Sequence, residues 1–315
     1  MCQRKIEEEI VLSTLKEVDK NIYLVEGKNE GRFPFCHSVL ITDRITALIE
    51  TGCGRNRLAD IEEEFTPDMV IYSHGHPDHC AGSSFFPPER LWGPEECKEM
   101  NGDIPRMAER FVKPDLKGDW ISLMRETPEL RDFKAGNYFG REHVFDFGDT
   151  VMEAVFAPGH TDDHYCFYLP HEKIMLTTDI DLTSFGPWYA NPESDIDDFI
   201  DSIKRVKSYD IETVVSSHLG VIRDDIHERF DQFLAVFKGR DEKILEFLSS
   251  PRSMDDFVDK ALIYRKYPYV ASILRFFEAE MISKHLDRLM SKGLVTKKDG
   301  KFFKSRGGEN RKHDG

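Results

Sequence analysis

The chain has 315 residues, 40 % of them hydrophobic, and a formal net charge of −15 at neutral pH. That length accommodates one large and one small packed unit, that hydrophobic share excludes global disorder, and that charge argues against a general nucleic-acid binder, because an acidic surface repels phosphate backbones. The charge is uneven: from Arg240 onward there are 17 basic and 12 acidic residues, against 26 and 46 before it, which predicts a domain boundary near residue 240.

The chain starts with MCQRKIEEEIVLSTLKEVDK, which is charged throughout and has no apolar signal region. No later stretch approaches the ~18 uninterrupted apolar residues of a membrane span. Short apolar runs bounded by turn residues predict strands at IYLVEG (22–27), FCHSVLITD (35–43) and TALIETG (46–52). A helix is predicted over Arg55–Phe65, then a buried strand, MVIYSH (69–74), that ends on a histidine. Residues 94–101 and 104–112 read as helices. The stretch 112–139, rich in Lys, Pro, Gly and aromatics with weak periodicity, reads as a lid or insertion. Strands resume at HVFDFG (143–148), TVMEAVFAP (150–158), YCFYLP (165–170) and KIMLTTD (173–179). A helix over 195–207, a strand TVVSSH (213–218) and a long helix over 223–248 follow. The tail predicts a helix at SMDDFVDKALI, another around 269–278, a third at AEMISKHLDRLMSKG, and a hairpin LVTKKDGKFFKS turning at Asp299-Gly300.

Two strand-rich halves, each closed by helices, give an α/β layered sandwich. The domains expected are 1–239, catalytic; 240–305, winged-helix-like; and 306–315, a polar, disordered tail. Cysteines at 2, 36, 53, 80, 97 and 166 form no CxxC pair and fit reduced thiols, so the expected location is cytoplasmic.

The strongest chemical signal is His74-Gly75-His76-Pro77-Asp78-His79, three imidazoles and a carboxylate directly after a hydrophobic strand. This ligand set suits zinc, manganese or iron. His74 and His76 can grip one ion, while the turn at Pro77 aims Asp78 and His79 at a neighbouring point. His160, Asp179 and His218 each close a further predicted strand. Together these seven residues are enough for two divalent ions if one carboxylate bridges, and zinc is the expected metal ahead of manganese or iron. Such a pair shares a water and lowers its pKa from ~15.7 towards ~7, giving a hydroxide that attacks a carbonyl or phosphorus; Asp78 orients it or passes a proton to the leaving group.

The HxHxDH motif, the Gly159-His160-Thr161 step, Asp179 and His218 stand in the order found in metallo-β-lactamase-fold hydrolases, which the chain resembles over roughly residues 20–235. The resemblance implies a four-layer αββα sandwich with the site at one edge. It assigns His74, His76 and His160 to one ion, Asp78, His79 and His218 to the other, and Asp179 to both. The tail resembles the winged-helix-like extension of a subgroup that includes glyoxalase-II-like hydrolases and β-lactamase-like ribonucleases. The full HxHxDH pattern argues against the flavo-diiron branch.

Outside this set, His164 is a candidate for orienting a ligand. His37, His143, His171, His227, His285 and His313 read as structural or surface residues, and Cys80 as a buried filler. Phe185, Trp188 and Tyr189, just downstream of Asp179, are candidate substrate-pocket residues; Trp120, Phe133, Tyr138 and Phe139 form a second candidate wall. The run 265–269 could reach a substrate anion, although such a run is more often a solvated face. The leading expectation is a hydrolase of an ester, thioester or related acyl bond of a small molecule. The alternatives are a mononuclear-iron persulfide-dioxygenase-like oxidoreductase and a phosphodiesterase or ribonuclease. A further reading makes the tail a homodimerisation or partner module.

Overall fold

In the computed structural model, which describes residues 15–100, 102–268 and 270–305, alternating side chains along short strands build the first sheet. Its strands are β1 (Leu15–Asp19), β2 (Ile22–Val25), β3 (Ser38–Thr42), β4 (Thr46–Ile49), β5 (Met69–Ile71), β6 (Leu91–Pro94) and β7 (Asn137–Phe139), adjacent in that order. The first four form an antiparallel meander, and the last three add in parallel. Parallel neighbours need crossovers, and α1 (Arg55–Phe65), α2 (Ile104–Phe111) and α3 (Lys117–Glu126) lie in them.

The second sheet holds β8 (Val144–Asp146), β9 (Val151–Phe156), β10 (Tyr165–Leu169), β11 (Ile174–Thr178), β12 (Thr213–Ser216) and β13 (Gly220–Ile222) in antiparallel succession, except that β11 and β12 are parallel. The crossover between those two is α4 (Ile196–Lys207), which begins at Asp195, whose side chain accepts the Asp197 and Asp198 N–H groups. Acidic residues in its first turn and basic ones in its last match the helix dipole.

Period two puts Val39 and Ile41 of β3 into the space between the sheets, where they meet Phe145, Met152, Phe167 and Leu176. Leu40 points the other way, into a core shared with Leu58 of α1, Met107 and Phe111 of α2 and Trp120 of α3. Behind the second sheet, Val155, Cys166 and Val214 pack against Phe199 and Ile203 of α4 and Phe230 and Phe237 of α5 (Ile226–Phe247). The result is helix, sheet, sheet, helix: a four-layer αββα sandwich.

The charge change near residue 240 falls inside α5, whose buried stripe runs Ile226, Phe230, Phe233, Phe237, Arg240, Ile244 without interruption. Net charge reports solvent-facing residues, so it shifts without any break in packing. Beyond α5 come α6 (Met254–Lys260), opened by a capping box between Ser253 and Asp256, then α7 (Ala271–Ser291), then the hairpin β14 (Val295–Lys298) and β15 (Lys301–Lys304). Met281, Ile282, Leu286 and Leu289 of α7 join the core behind the second sheet, while Ile273 joins the one behind the first.

Four local expectations are corrected. In place of the expected helix over 94–101, Pro94 ends β6 and Glu95–Cys97 form a 3-10 turn, while residue 101 lies outside the described residues. The stretch 112–139 is not irregular throughout: it contains α3 and the edge strand β7, and Leu116, Trp120, Met124 and Leu130 are buried in it. The two expected tail helices are the single α7, in which buried Glu278 interrupts the apolar pattern; its carboxylate accepts the Ile263 and Tyr264 N–H groups at 3.0 and 2.9 Å. Strands β1, β6, β7 and β13, all short, escaped the sequence pattern. The expected disordered tail 306–315, Cys2 and His313 lie outside the described residues, as does the first part of the N-terminal segment. Cys36, Cys53, Cys80, Cys97 and Cys166 are buried, and among the described residues no disulfide forms. Among the described residues no helix is long and apolar enough to cross a membrane.

Candidate metal centre

The loops after β5, β9, β11 and β12 meet at one edge of the sandwich, and each carries polar side chains inward. After β5 the chain makes one helical turn, Pro77–Cys80, which places Asp78 and His79 beside His74 and His76. His160 follows β9, Asp179 follows β11 and His218 follows β12. Ligand atoms of His74, His76, His160 and Asp179 lie within 4.8 Å of one another, and so do those of Asp78, His79 and His218.

In the first group, His76 Nδ1 is 3.0 Å from His74 Nε2 and 2.8 Å from His160 Nε2. A tetrahedral ion with bonds of about 2.0–2.1 Å separates its nitrogen ligands by roughly 3.3 Å, so three nitrogens this close have the spacing of a shared ion. Asp179 Oδ2 lies 3.0 Å from His160 Nε2 and 3.6 Å from His74 Nε2. Its other oxygen, Oδ1, lies 2.8 Å from His79 Nε2 and 3.3 Å from His218 Nε2. Asp78 Oδ2 completes the second group, 3.6 Å from His218 Nε2. Asp179 therefore stands between the groups with one oxygen toward each.

The fit to metal rests on orphaned atoms. His79 Nε2 and Asp179 Oδ1 are buried and 2.8 Å apart, yet neither has a hydrogen-bond partner. Buried polar atoms are nearly always paired; two that are close but misaligned both point at a third position. Imidazole and carboxylate donors around it suit a borderline divalent cation. Burial, aided by the neighbouring His79 and His76, holds His74 well below the ordinary histidine range, and burial pulls His76 down to about 4, so both rings are neutral with lone pairs available. Burial opposes the charged form of His218 as well, but Asp179 and Asp78 outweigh it and push it up to about 9. A divalent ion entering that group displaces the proton.

The outer nitrogens are held by a second layer of contacts, which fixes tautomer and ring direction. His160 Nδ1 donates to the Trp188 carbonyl at 2.8 Å, and His218 Nδ1 to the Gly31 carbonyl at 2.6 Å. Asn191 meets His76 Nε2 at 2.6 Å, Ser73 Oγ meets His74 Nδ1 at 2.9 Å, and Glu50 Oε2 lies 3.4 Å from His79 Nδ1. His164 sits beneath the cluster. Its Nδ1 donates to the Ala157 carbonyl, and its Nε2 lies 2.7 Å from Thr178 Oγ1 and accepts the Asp179 N–H at 3.3 Å. Thr178 takes φ 48, rare for a β-branched residue, at the point where the backbone turns Asp179 into the cluster.

Asp163, Arg110, Glu50 and Asn191 were missed in the sequence. Asp163 is fully buried and accepts the Gly75 N–H, between two of the histidines, and an Arg110 N–H at 2.9 Å. Its one visible signal was position, an acidic residue between His160 and His164. Gly159 is constrained twice: its φ is +120, and a Cβ there would come within 2.2 Å of the Phe199 backbone nitrogen. Gly159→Ala is expected to displace His160 and destabilise the protein by more than about 1 kcal/mol. Urea unfolding checks this, and an unchanged midpoint would contradict it.

The candidate pocket residues separate. Trp188 lies at the cluster, its ring centroid 5.3 Å from that of His76 and 5.7 Å from that of His160. Tyr189 does not: it is fully buried, with its hydroxyl 2.6 Å from His285 Nε2. Phe185 is 39 % exposed and packs beside Arg240 and Tyr264. Of the second wall, Trp120 and Phe139 are core residues, while Phe133 and Tyr138 are partly buried against the core behind the first sheet. His285 and His37 are buried, His143 meets Phe145 edge to face, and His171 and His227 are exposed. Cys80 is buried, its Sγ against the Gly75 carbonyl.

The family model for the metallo-beta-lactamase superfamily matches residues 31–218. An atrochrysone carboxyl ACP thioesterase of Cryptosporiopsis sp. is 22 % identical over 253 residues, covering 78 % of this chain and 68 % of that protein. A second, of Aspergillus fumigatus, is 25 % identical over 244 residues, covering 73 % and 67 %. The chain thus spans about two thirds of the length of these relatives. Among solved structures, a metallo-beta-lactamase family protein of Thermus thermophilus superposes with a TM-score of 0.72 at 20 % identity, covering 92 % of this chain and all of that one. A beta-lactamase domain protein of Burkholderia ambifaria gives 0.70 at 17 % identity, covering 92 % and 94 %.

Proposed function

The chain belongs to the metallo-beta-lactamase superfamily and is a metal-dependent hydrolase, and from that premise we propose that it cleaves an acyl thioester at a centre of two divalent ions, zinc in preference to manganese or iron. The observation that carries this reading is Asp179, set between two three-residue groups with one carboxylate oxygen toward each. In the proposed assignment His74, His76 and His160 hold one ion, Asp78, His79 and His218 the other, and Asp179 both. Bound there, divalent ions supply Lewis acidity that lowers the pKa of water from about 15.7 towards 7 and polarises a carbonyl oxygen.

The protein's own part is orientation and exclusion of water. Hydrogen bonds that His160 and His218 donate to the Trp188 and Gly31 carbonyls, and the Glu50 carboxylate beside His79, fix the ring directions. The aromatic face of Trp188 gives the acyl group an apolar wall beside His76 and His160. Hydrolysis breaks the C–S bond, forms a C–O bond from water, and yields an acid and a thiol. A thiolate with pKa near 8.5 leaves with little help from a general acid. Asp78, at the edge of the second group, is the residue placed to orient the nucleophile or pass a proton to that sulfur. The thioesterase relatives supply the same preference for the C–S bond.

Three finer readings go with this. The α6, α7 and hairpin stretch is winged-helix-like in element order. The five described cysteines, buried and in no disulfide, support a reducing compartment such as the cytoplasm. The substrate's acyl part is a small molecule, carried on a protein thiol or on free coenzyme A.

The test is metal analysis joined to a thiol-release assay on acyl-coenzyme A and acyl-carrier-protein thioesters. Chelator-stripped protein is expected to lose at least about 90 % of its activity and to recover it with two equivalents of zinc per chain. Activity that survives complete stripping would overturn the reading. One equivalent of iron with oxygen uptake would move the protein to the oxidoreductase class.

A further inference from the structure

The segment between Asp179 and α4 has little regular structure, yet it touches the three-histidine group at several points. Its Trp188 carbonyl accepts a hydrogen bond from His160 Nδ1, its Asn191 side chain meets His76 Nε2, and its Ser194 hydroxyl donates to the His160 carbonyl at 2.6 Å. An irregular segment cannot hold such positions by its own backbone ladder, so something outside it must set its shape.

That constraint comes from the chain after residue 225. Arg240 occupies an apolar position in the buried stripe of α5 and is 5 % exposed. Its guanidinium donates to the Phe185 carbonyl at 2.8 Å, to the Pro187 carbonyl, and to the Tyr189 hydroxyl at 2.8 Å. These acceptors sit on alternate residues and none is a carboxylate, so the fork grips the segment on both sides of Trp188. The Tyr189 hydroxyl donates a hydrogen bond to His285 Nε2, and His285 Nδ1 donates to Asp241 at 2.6 Å. The Trp188 indole donates to the Tyr264 hydroxyl at 2.7 Å. Gly186, at φ +82, lies so close to α5 that a Cβ would come within 2.6 Å of Val236. A buried guanidinium is costly to desolvate and is retained where its geometry does something.

We infer that Arg240 is a positioning residue for the three-histidine half of the metal centre: by fixing residues 185–189 it sets the Trp188 carbonyl and the Asn191 amide against His160 and His76. The C-terminal segment thus serves as a scaffold for that half, through His285 of α7 and Tyr264 between α6 and α7. This rests on the ligand assignment proposed above. Outer-layer partners of metal-bound histidines are typically worth about 10–100-fold in metal affinity.

The experiment titrates cobalt and zinc into the metal-stripped full-length protein against a competing chelator. It compares wild type, Arg240→Met, Tyr189→Phe and, as control, Lys238→Met on the exposed face of the same helix. Methionine fills the apolar stripe but leaves three oxygens without their donor. Arg240→Met is expected to weaken one of two binding events about 10–100-fold, Tyr189→Phe to weaken the same event less, and Lys238→Met to leave both unchanged. In a His218→Ala background, which keeps the three-histidine half, the full loss is expected; in a His160→Ala background, little or none. If Arg240→Met fails to fold, Tyr189→Phe, which removes a single oxygen, carries the comparison. Wild-type protein that takes up no metal overturns the ligand assignment, and this inference with it. Wild type that binds two ions, beside folded variants that bind both as tightly, overturns this inference alone, as does an equal loss in both backgrounds.

Discussion

Replacing Asp179 with alanine is expected to abolish thioester hydrolysis, with a fall on the order of 10³-fold or more, because both proposed metal positions lose an oxygen ligand at once and the acidified water goes with them. The fold is expected to persist. Asp179 lies at the edge of the sandwich, and the three apolar clusters that support the layers do not include it. The check is kcat/KM together with zinc per chain and the far-ultraviolet spectrum of the purified variant. A folded Asp179→Ala protein that keeps wild-type turnover would remove the central residue of the proposed site.

Arg110→Ala is expected to cause the largest loss of stability, about 3–5 kcal/mol, the range found when one partner of a buried ion pair is deleted. The Arg110 side chain is 5 % exposed and serves Asp163, Asp162 and Glu193, of which Asp163 is fully buried. Burial alone would raise the Asp163 carboxyl; the guanidinium overrides it and holds the group well below the usual carboxylate range. A depressed carboxylate contributes stability that is present above its unfolded pKa of about 3.9 and is lost as the pH falls. In the variant the same carboxyl, without its partner, resists ionisation, so acid favours the folded state at that site. The gap between wild type and Arg110→Ala is therefore expected to be wide at neutral pH and to narrow as the pH falls from about 5 towards 3. Urea melts across that range test it, and a gap that widens in acid would contradict the account.

How much of this was legible depended on the kind of residue. The metal-binding candidates stood out because histidine is uncommon and three fell within six positions after a strand, with His160, Asp179 and His218 closing three further strands. Most strands and α1 were visible because their apolar spacing matched one period. The supporting layer was not visible. Asp163 and Glu50 look like ordinary charged residues, and only the fold shows that a backbone N–H and an imidazole wait for them. Arg240 reads as surface charge, although its place in the stripe with Phe237 and Ile244 is an inward one. Tyr189 and Trp188 are neighbours of the same type in one loop, and sequence cannot tell which faces the cluster and which faces the core. The short strands β1 and β7 lie at sheet edges, where one side of the ladder is unpaired and composition is free to vary.

The ligand candidates are divided between the halves of the sandwich: His74, His76, Asp78 and His79 follow a strand of the first sheet, while His160, Asp179 and His218 follow strands of the second. An ion held by both sets is a rivet as well as a reagent, since it must be released before the layers can part at that edge. Free metal then acts as a thermodynamic load on unfolding, adding RT ln(1 + [M]/Kd), or about 2.7 kcal/mol at a hundred times Kd. Metal supply would set the lifetime of this protein along with its rate, and chain starved of metal would be the chain most exposed to proteolysis.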